Sequence, residues 1–298
     1  MKIARVESLV YGVEDVDAGI RYYEDWGLDC VERGARGAEF RMPSGQSIHV
    51  RPATDAALPA APDGGSTLRE AIWGVEDAAS LEAIGAELAR DRDVKADARG
   101  GLHARDEAGF AIGFRYMSKA VKTGVAEASR MNRPFDPERR ARPTRLGHIV
   151  YNIPGKSIER VLGFYIERLK FRLTDRAFDT GAFMRCAGST DHHNLFFATR
   201  ADQPSFNHAA FEVRDIDEII LGGKYMKSRG WQANTPVGRH ILGSNLFWYF
   251  NNPCGGRTEY YADMDQMDDD WKPRIWEKNP GFAMWMLDKA DAPELTRI

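Results

Sequence analysis

The sequence predicts an α+β protein built from four copies of one strand–helix–strands unit, two in each half of the chain. Two internal repeats carry this prediction. Residues 5–31 resemble residues 145–173, and residues 70–88 resemble residues 208–226, each at an offset of about 140 residues. Each copy begins with alternating apolar and polar residues, as a half-buried strand does, and continues into an amphipathic helix. A duplicated half that itself contains two units explains both repeats.

The helix of the third unit has the clearest periodicity. Its apolar residues recur three or four positions apart, which places them on one face of a helix. These residues are Ile158, Val161, Leu162, Tyr165 and Leu169. A strand start follows them, as it does in the first unit.

The two halves are separated by a segment rich in Pro and Arg at residues 131–143. Such a composition is typical of a linker. We therefore predict a first domain over residues 1–120, a linker over residues 121–144 and a second domain over residues 145–298. The apolar C-terminal tail of the second domain is expected to pack back on that domain.

Composition and charge exclude several classes of protein. The 298 residues have a formal net charge of −3 and are 43% hydrophobic, so nothing in the charge balance favours nucleic acid or an acidic membrane. The three cysteines are far apart, the N-terminus does not resemble a signal peptide, and no apolar run approaches about 18 residues. We therefore expect a cytoplasmic protein with neither nucleic-acid nor membrane partners.

A hairpin is predicted near the C-terminus, over residues 238–261. An apolar run at residues 246–250 precedes the turn sequence Asn-Pro-Cys-Gly-Gly, and a second β-prone run follows it. Strands joined in this way bring His240, Tyr249 and Glu259 close together. An imidazole, a phenol and a carboxylate in such proximity suit metal-centred oxidation chemistry.

The histidines are distributed unequally between the halves. Five of the seven lie in the second half, and the two in the first, His49 and His103, are interpreted as ordinary residues without a site. The repeat pairs three residues of the second half with three of the first: His148, His208 and Glu259 match Ser8, Glu70 and Gly113. Only the second half therefore has two histidines and a carboxylate at matching points of its units.

Two imidazoles and one carboxylate form the ligand set of mononuclear non-haem Fe(II) oxygenases, which leaves the opposite face of the ion open. His148 and His208 each lie in an alternating, strand-like segment, and Glu259 lies in the second strand of the hairpin. We therefore predict these three residues as metal ligands. Nitrogen and oxygen ligands also suit Mn(II) or Zn(II), so the ligand types leave the metal open.

The second half resembles the type I extradiol catechol dioxygenases of the vicinal-oxygen-chelate superfamily, to which glyoxalases and bleomycin-resistance proteins also belong. The candidate ligands are 60 and 51 residues apart, as in that family, and the stretch 238–259 fits its motif except at Trp248. The resemblance implies four βαβββ units in two domains, each with a curved, partly open mixed sheet barrel. It also implies that only the second domain binds metal.

The resemblance implies three further site residues. His193, fifteen residues before His208, matches an acid–base histidine. His240 and Tyr249 match residues that hydrogen-bond the bound diol. His192, one residue off this register, would point to the other face of a strand from His193.

The implied activity is cleavage of a catechol ring beside its two hydroxyl groups, with O₂ and Fe(II), in the degradation of aromatic compounds. The implied enzymes are of the 2,3-dihydroxybiphenyl 1,2-dioxygenase or catechol 2,3-dioxygenase type, with Mn(II) as the other metal. The partners are a catechol, O₂ and further copies of the chain in a homo-oligomer. The aromatic content and Trp248 favour a bulky, apolar diol.

Two other classes stay open at this stage. One is a related metalloenzyme, either a glyoxalase or a thiol transferase acting on an epoxide, although Ser8 and Gly113 leave the first half without ligands. The other is a binding protein that sequesters a ligand without catalysis. The sequence also leaves open which catechol is cleaved and at which of its two extradiol bonds.

Overall fold

The computed structural model describes residues 1–61, 63–120 and 139–287, which form two mixed β-sheets with helices packed on them. The strands of the first sheet are β1 (Ile3–Val13), β2 (Asp29–Gly34), β3 (Gly37–Arg41), β4 (Ser47–Pro52), β5 (Thr67–Val75), β6 (Lys95–Ala96), β7 (Leu102–Arg105) and β8 (Ala111–Tyr116). Its helices are α1 (Val16–Trp26) and α2 (Ala78–Leu88).

The second sheet contains the strands of the second half and two short strands of the tail. They are β9 (Arg145–Pro154), β10 (Arg172–Ala177), β11 (Gly181–Arg185), β12 (Leu195–Ala198), β13 (Arg200–Glu212), β14 (Gly238–His240), β15 (Leu246–Asn251), β16 (Arg257–Ala262), β17 (Arg274–Trp276) and β18 (Ala283–Met286). Its helices are α3 (Ile158–Leu162) and α4 (Ile216–Ser228).

The strand order shows the repeat directly. The first sheet runs β2-β3-β4-β1-β5-β8-β7-β6, and the second contains the same arrangement as β10-β11-β12-β9-β13-β16-β15-β14. Each half is thus two βαβββ units joined through their first strands, which pair antiparallel. In the described part of the chain the edge strands of a sheet do not pair with each other, so both sheets are open. The predicted fold class is confirmed.

The helix of the third unit differs from the other three. Asp15, Asp77 and Asp215 precede α1, α2 and α4, and each accepts a hydrogen bond from a backbone N–H of the first turn. The third unit instead begins with a 3₁₀ turn at Gly155–Ser157, and α3 continues as a π-helix at Gly163–Arg168. Its predicted apolar face is buried all the same.

The first helix of the first half packs against the second sheet. The indole of Trp26 stacks on the ring of Tyr260 in β16, with 3.5 Å between ring centroids, and the hydroxyl of Tyr260 donates to the backbone carbonyl of Trp26 at 2.7 Å. The hydroxyls of Tyr22 and Thr258 are also hydrogen-bonded. All four side chains are buried. Strand β16 is therefore held from the first half of the chain.

The described part of the tail covers both edges of the second sheet. Strand β17 pairs parallel with β10 at one edge, and β18 pairs antiparallel with β14 at the other. Edge strands expose unpaired backbone groups, and this pairing satisfies them. Residues 121–138, most of the predicted linker, and residues 288–298 of the tail lie outside the described residues. No described helix is long and apolar enough to cross a membrane.

Candidate metal centre

Three neighbouring strands bring the predicted ligands onto one face of the second sheet. Strand β13 lies between β9 and β16, and Ala210 of β13 is in register with His148 on one side and with Glu259 on the other. His208 lies two residues before Ala210 on the same strand. Because side chains alternate along a strand, His208 shares the face of Ala210. The small side chain of Ala210 leaves room between the three larger ones.

The distances fit a single ion. Nε2 of His148 lies 3.0 Å from Oε2 of Glu259, and Nε2 of His208 lies 3.2 Å from the same oxygen. Adjacent ligand atoms of an octahedral ion with bonds of about 2.1 Å are separated by about 3.0 Å. The three ligand-type atoms all lie within 4.8 Å of one another. The second half therefore contains a three-residue group that could hold a metal ion.

One contact within this group is unfavourable without a cation. Nδ1 of His208 donates to the side-chain oxygen of Asn207 at 2.8 Å, and Arg257 donates to that same oxygen. Nε2 of His208 consequently carries a lone pair, and among the described residues it has no hydrogen-bond partner. It nevertheless faces a carboxylate oxygen of Glu259. Two acceptors that face each other in a buried site are what a metal ion between them would reconcile.

Burial sets the charge state of the group. The Glu259 side chain is 0% exposed. Burial alone would raise its pKa, but the surrounding imidazoles, His148 foremost, outweigh this and hold the pKa well below the usual value. Burial lowers the pKa of His208 to about 4, although Glu259 opposes this shift. A carboxylate and a neutral imidazole are the forms that bind metal.

The three other predicted site residues lie around this group. The rings of His193 and His148 are 4.2 Å apart, and those of Tyr249 and His208 are 5.0 Å apart. Nε2 of His240 lies 2.9 Å from the hydroxyl of Tyr249. Burial raises the pKa of Tyr249 well above its usual value. All six residues predicted from the sequence thus converge on one place.

The protonation of His240 follows from its contacts. Its Nδ1 lies 2.9 Å from the backbone carbonyl of Phe282, a group that only accepts, so Nδ1 carries the proton. Nε2 is then the acceptor, and the Tyr249 hydroxyl donates to it. The segment that leads into β18 therefore fixes the orientation of His240.

His192 differs from its predicted position. Residues 192–194 form a bend rather than a strand, so the alternation expected for His192 and His193 does not apply. Both imidazoles are buried, and their Nδ1 atoms lie 3.0 Å apart. Nε2 of His192 lies 2.7 Å from a carboxylate oxygen of Asp175. The expectation that His192 points away from His193 was wrong.

Two functional contacts had no clear signal in the sequence. Asn245 is fully buried and donates to the second carboxylate oxygen of Glu259 at 3.0 Å, which orients the carboxylate. Asp175 lies on β10, a different strand from any that carries a proposed ligand. An asparagine in a Gly-Ser-Asn loop and an aspartate in a strand are both common without such roles, and only the folded contacts single them out.

Trp248 does not line the site. Its neighbours in β15, Phe247 and Tyr249, face the metal centre, and Trp248 faces the other way. Its ring packs on Gly223 of α4, and its Nε1 donates to the backbone carbonyl of Thr235 at 3.0 Å. The inference of a bulky diol from Trp248 was therefore wrong, because this residue packs under the sheet.

The matching points of the first half have different chemistry. Ser8 hydrogen-bonds Ser47 at 2.9 Å, and Glu70 contacts His103 at 2.8 Å. Gly113 has no side chain to offer. The described residues contain one group of metal-ligand type, and it is the group of the second half.

Both halves of the chain thus have two βαβββ units, and the second has a His/His/Glu group on one face of its sheet. Residues 145–260 match the Glyoxalase/Bleomycin resistance protein/Dioxygenase superfamily. The relationship predicted from the sequence is confirmed at this level. Metapyrocatechase 2 from Cupriavidus necator is 38% identical over 126 residues. That match covers 42% of this chain and 38% of the relative, or about two fifths of its length.

Solved structures share the fold over nearly the whole chain. The Mn(II)-bound glyoxalase from Novosphingobium aromaticivorans superposes with a TM-score of 0.78 and 22% identity, covering 96% of this chain and 91% of that one. The 2,3-dioxygenase LapB from Pseudomonas sp. KL28 gives 0.76 and 18%, covering 93% and 98%. At such identities the likeness is one of fold.

Proposed function

We propose that this protein cleaves the ring of a catechol beside its two hydroxyl groups, with O₂, at an Fe(II) ion held by His148, His208 and Glu259. The observation that carries the proposal is the lone pair of His208 Nε2 facing the buried Glu259 carboxylate at 3.2 Å. Three ligands on one side leave the other side of an ion free for a diol and O₂. The similarity to a metapyrocatechase supports the same reaction class.

Fe(II) at this position would supply a redox-active Lewis acid that lowers the pKa of a bound phenol. Side chains of the protein would then accept and donate the protons. Nε2 of His240, whose Nδ1 proton is used on the Phe282 carbonyl, is a base beside the Tyr249 hydroxyl. A diol bound next to this pair would transfer a hydroxyl proton to Nε2 of His240, with Tyr249 hydrogen-bonded to the resulting oxygen.

His193 would act on the opposite side of the ligand group. Burial, followed by the neighbouring His148 and His192, lowers the pKa of His193 well below its usual value. A neutral imidazole is therefore available to accept a proton while the ring is attacked and to return it during ring opening.

An aromatic wall adjoins His193. The ring of Phe183 lies 5.1 Å from that of His193, and it stacks on Phe196 with 4.0 Å between centroids and 2° between planes. A flat apolar surface beside an acid–base group suits an aromatic ring. The substrate class we propose is therefore an aromatic diol, without a preference for one or two rings.

The proposal is tested by metal content and product colour together. Protein purified without oxygen and loaded with Fe(II) should contain about one iron per chain, and a panel of catechols in air should give a yellow ring-opened product. Glu259→Gln should lose both iron and activity. Glu70→Gln, at the first-half position that matches His208, is the control and should keep both. Iron bound equally by both variants would place the metal elsewhere and refute the proposal.

The glyoxalase alternative is tested with the same preparation. Loading with Mn(II) and adding the hemithioacetal of methylglyoxal and glutathione tests for isomerisation to a thioester. Turnover of the hemithioacetal without cleavage of any catechol would replace the proposed function with this alternative. Ser8 and Gly113 argue against it, since they offer no ligands from the first half.

A further inference from the structure

The first half has a cleft of its own at the place that the metal centre occupies in the second. It measures about 880 Å³ and lies on the face of the first sheet that carries Glu70, the counterpart of His208. Val10 of β1 is in register with Glu70 of β5 on one side and with His49 of β4 on the other. This row corresponds to Phe196, Val150 and His208 in the second sheet, so it contains the counterpart of one proposed ligand.

Arg115, near the end of β8, lines this cleft, and its guanidinium makes fewer hydrogen bonds than it can donate. Its Nε is buried and has no hydrogen-bond partner among the described residues, and Nη2 reaches only the hydroxyl of Ser47, at 3.4 Å. In the described part of the chain no carboxylate lies within ion-pair distance of it. Arg115 is half-buried, and withdrawing a cation from water without a counter-charge is unfavourable. An anion in the cleft would offset this.

The nearby acidic groups are already engaged. Glu70 and Asp97 both contact His103, at 2.8 and 3.1 Å, and these contacts raise the pKa of His103 to about 9. Glu7, which acts on Arg115 at longer range, is paired with Arg5 at 2.8 Å. The guanidinium of Arg115 thus has no carboxylate partner of its own among the described residues, and Nη2 reaches only a hydroxyl.

Other polar groups converge beside Arg115. The Ser47 hydroxyl lies 3.1 Å from Nε2 of His49 and 2.9 Å from the hydroxyl of Ser8. Burial lowers the pKa of His49 to about 4, so its imidazole is neutral and can donate without adding charge. Of these groups, Arg115 and His49 line the cleft and are the donors that an anionic group there could reach.

The cleft also has an apolar part, beside charged lining residues such as Arg51, Lys95 and Arg105. Val10 and Ile72 lie on its floor, and Leu58 and Pro59 of the loop after β4 lie opposite. An inorganic anion would leave this surface unused. A molecule with one anionic group and an apolar body fills both parts, as small-molecule ligands usually do.

We propose that the first half binds a small organic carboxylate in this cleft, with the carboxylate on the guanidinium of Arg115 and the apolar body between Ile72 and Leu58. A planar guanidinium offers two parallel N–H groups to a carboxylate, which a point charge does not. The site needs no metal and is separate from the centre in the second half.

Benzoate is the probe for this site, and its binding is measured by isothermal titration calorimetry on the full chain. One benzoate should bind per chain. Arg115→Gln should weaken binding at least 10-fold, and Arg115→Lys should weaken it less because the charge is retained. Arg33→Gln, which removes an exposed arginine of the same half, should change nothing. Benzylamine, similar in shape but cationic, should not bind.

Two further measurements distinguish this cleft from the metal centre and loss of binding from loss of folding. Glu259→Gln should bind benzoate as the unaltered chain does, whereas benzoate held at the metal centre would be lost. Thermal unfolding of Arg115→Gln should show no loss of stability, because a half-buried charge without an ion-pair partner is removed. Equal benzoate affinity in Arg115→Gln and the unaltered chain overturns the proposal. Binding of inorganic phosphate that depends on Arg115, without binding of benzoate, overturns it as well.

Discussion

Nδ1 of His193 lies 3.0 Å from Nδ1 of His192, with the two imidazole planes 89° apart. Only one of these nitrogens can carry the shared proton. Nε2 of His192 lies 2.7 Å from the carboxylate of Asp175 and donates to it; in the tautomer with its proton there, Nδ1 of His192 accepts from His193. Nε2 of His193 is then left unprotonated, as a base. The tail contributes too, because Nε1 of Trp276 donates to the other oxygen of Asp175 at 2.6 Å.

Replacement of His193 by alanine is expected to lower kcat for catechol cleavage by about 10²- to 10⁴-fold, the range for loss of a general acid–base group. Iron content should stay at the level of the unaltered chain, because His193 is not one of the three proposed ligands. Steady-state kinetics and metal analysis measure the two effects. His103→Ala, in the first half, is the control. An unchanged kcat in His193→Ala would remove this residue from the mechanism.

Asp175→Asn should act through the histidine pair. An amide has one acceptor oxygen, and Asp175 accepts from both His192 and Trp276. One donor therefore loses its acceptor, and the orientation or tautomer of His192 is no longer fixed. We expect kcat to fall about 10- to 100-fold, as for other groups that orient histidines at metal sites, with KM nearly unchanged. Asp202→Asn, an exposed carboxylate of the same half, is the control.

Deletion of residues 270–298 should reduce both stability and activity. It removes the strands that pair with β10 and β14, the indole on Asp175 and the Phe282 carbonyl that orients His240. The melting temperature should drop by several degrees, since about 2–4 °C corresponds to 1 kcal/mol in domains of 150–250 residues. The single change Leu287→Ala, at an exposed tail residue, should have little effect. Equal melting temperature and turnover in the truncated chain would contradict the structural role of the tail.

Asp106 should make stability depend on pH. Its side chain is 6% exposed and accepts hydrogen bonds from Tyr165 and the backbone, and burial raises its pKa from 3.8 to about 6. Below pH 3.8 this carboxyl is protonated in both the folded and the unfolded state, and its contribution to the free energy of unfolding is fully present. As the pH rises from 3.8 to 6, the unfolded state loses its proton first and this contribution is lost. This shift corresponds to about 3 kcal/mol.

The measurement is urea unfolding of Asp106→Asn and the unaltered chain at pH 4 and pH 7. The variant should gain relative stability at the higher pH, because an amide does not ionise. A difference between the two proteins that is the same at both pH values would show that Asp106 does not titrate in this window.

Two glycine substitutions should have opposite effects on stability, because only one of the two glycines packs against Trp248. A Cβ at Gly223 would lie 2.1 Å from the Trp248 ring, so Gly223→Ala should cost about 1–3 kcal/mol by overpacking. A Cβ at Gly163, in the π-helix, would meet no heavy atom within 4 Å. Gly163→Ala should therefore stabilise by about 0.5–1 kcal/mol. Chemical denaturation distinguishes the two, and a Gly223→Ala protein of full stability would mean that Trp248 packs elsewhere.

Much of the fold could be predicted because the repeat has strong local signals. Alternating strands and capping aspartates such as Asp15 and Asp215 recur in three of the four units. The π-helical end of the third helix could not be predicted, since its apolar residues keep an ordinary helical spacing. The domain bounds at residues 120 and 145, the cytoplasmic location and the homo-oligomer stay predictions.

The site could be predicted from the sequence where its residues lie on regular strands. His148, His208 and Glu259 share a face because strand alternation and register determine it, and both could be anticipated. His192 and Asn245 lie in a bend and a loop, where no periodicity predicts the direction of a side chain. The inference from Trp248 failed because the role of a strand residue depends on which face of the sheet its side chain lies on.

The stack of Trp26 on Tyr260 connects the half without ligands to the strand that carries Glu259. A protein fragment of residues 139–298 alone would retain every proposed ligand. It would, however, expose to water the aromatic face of that strand. Such a fragment should recover metal affinity when the missing half is supplied as a separate polypeptide. In this sense the first half stabilises the strand that presents the carboxylate.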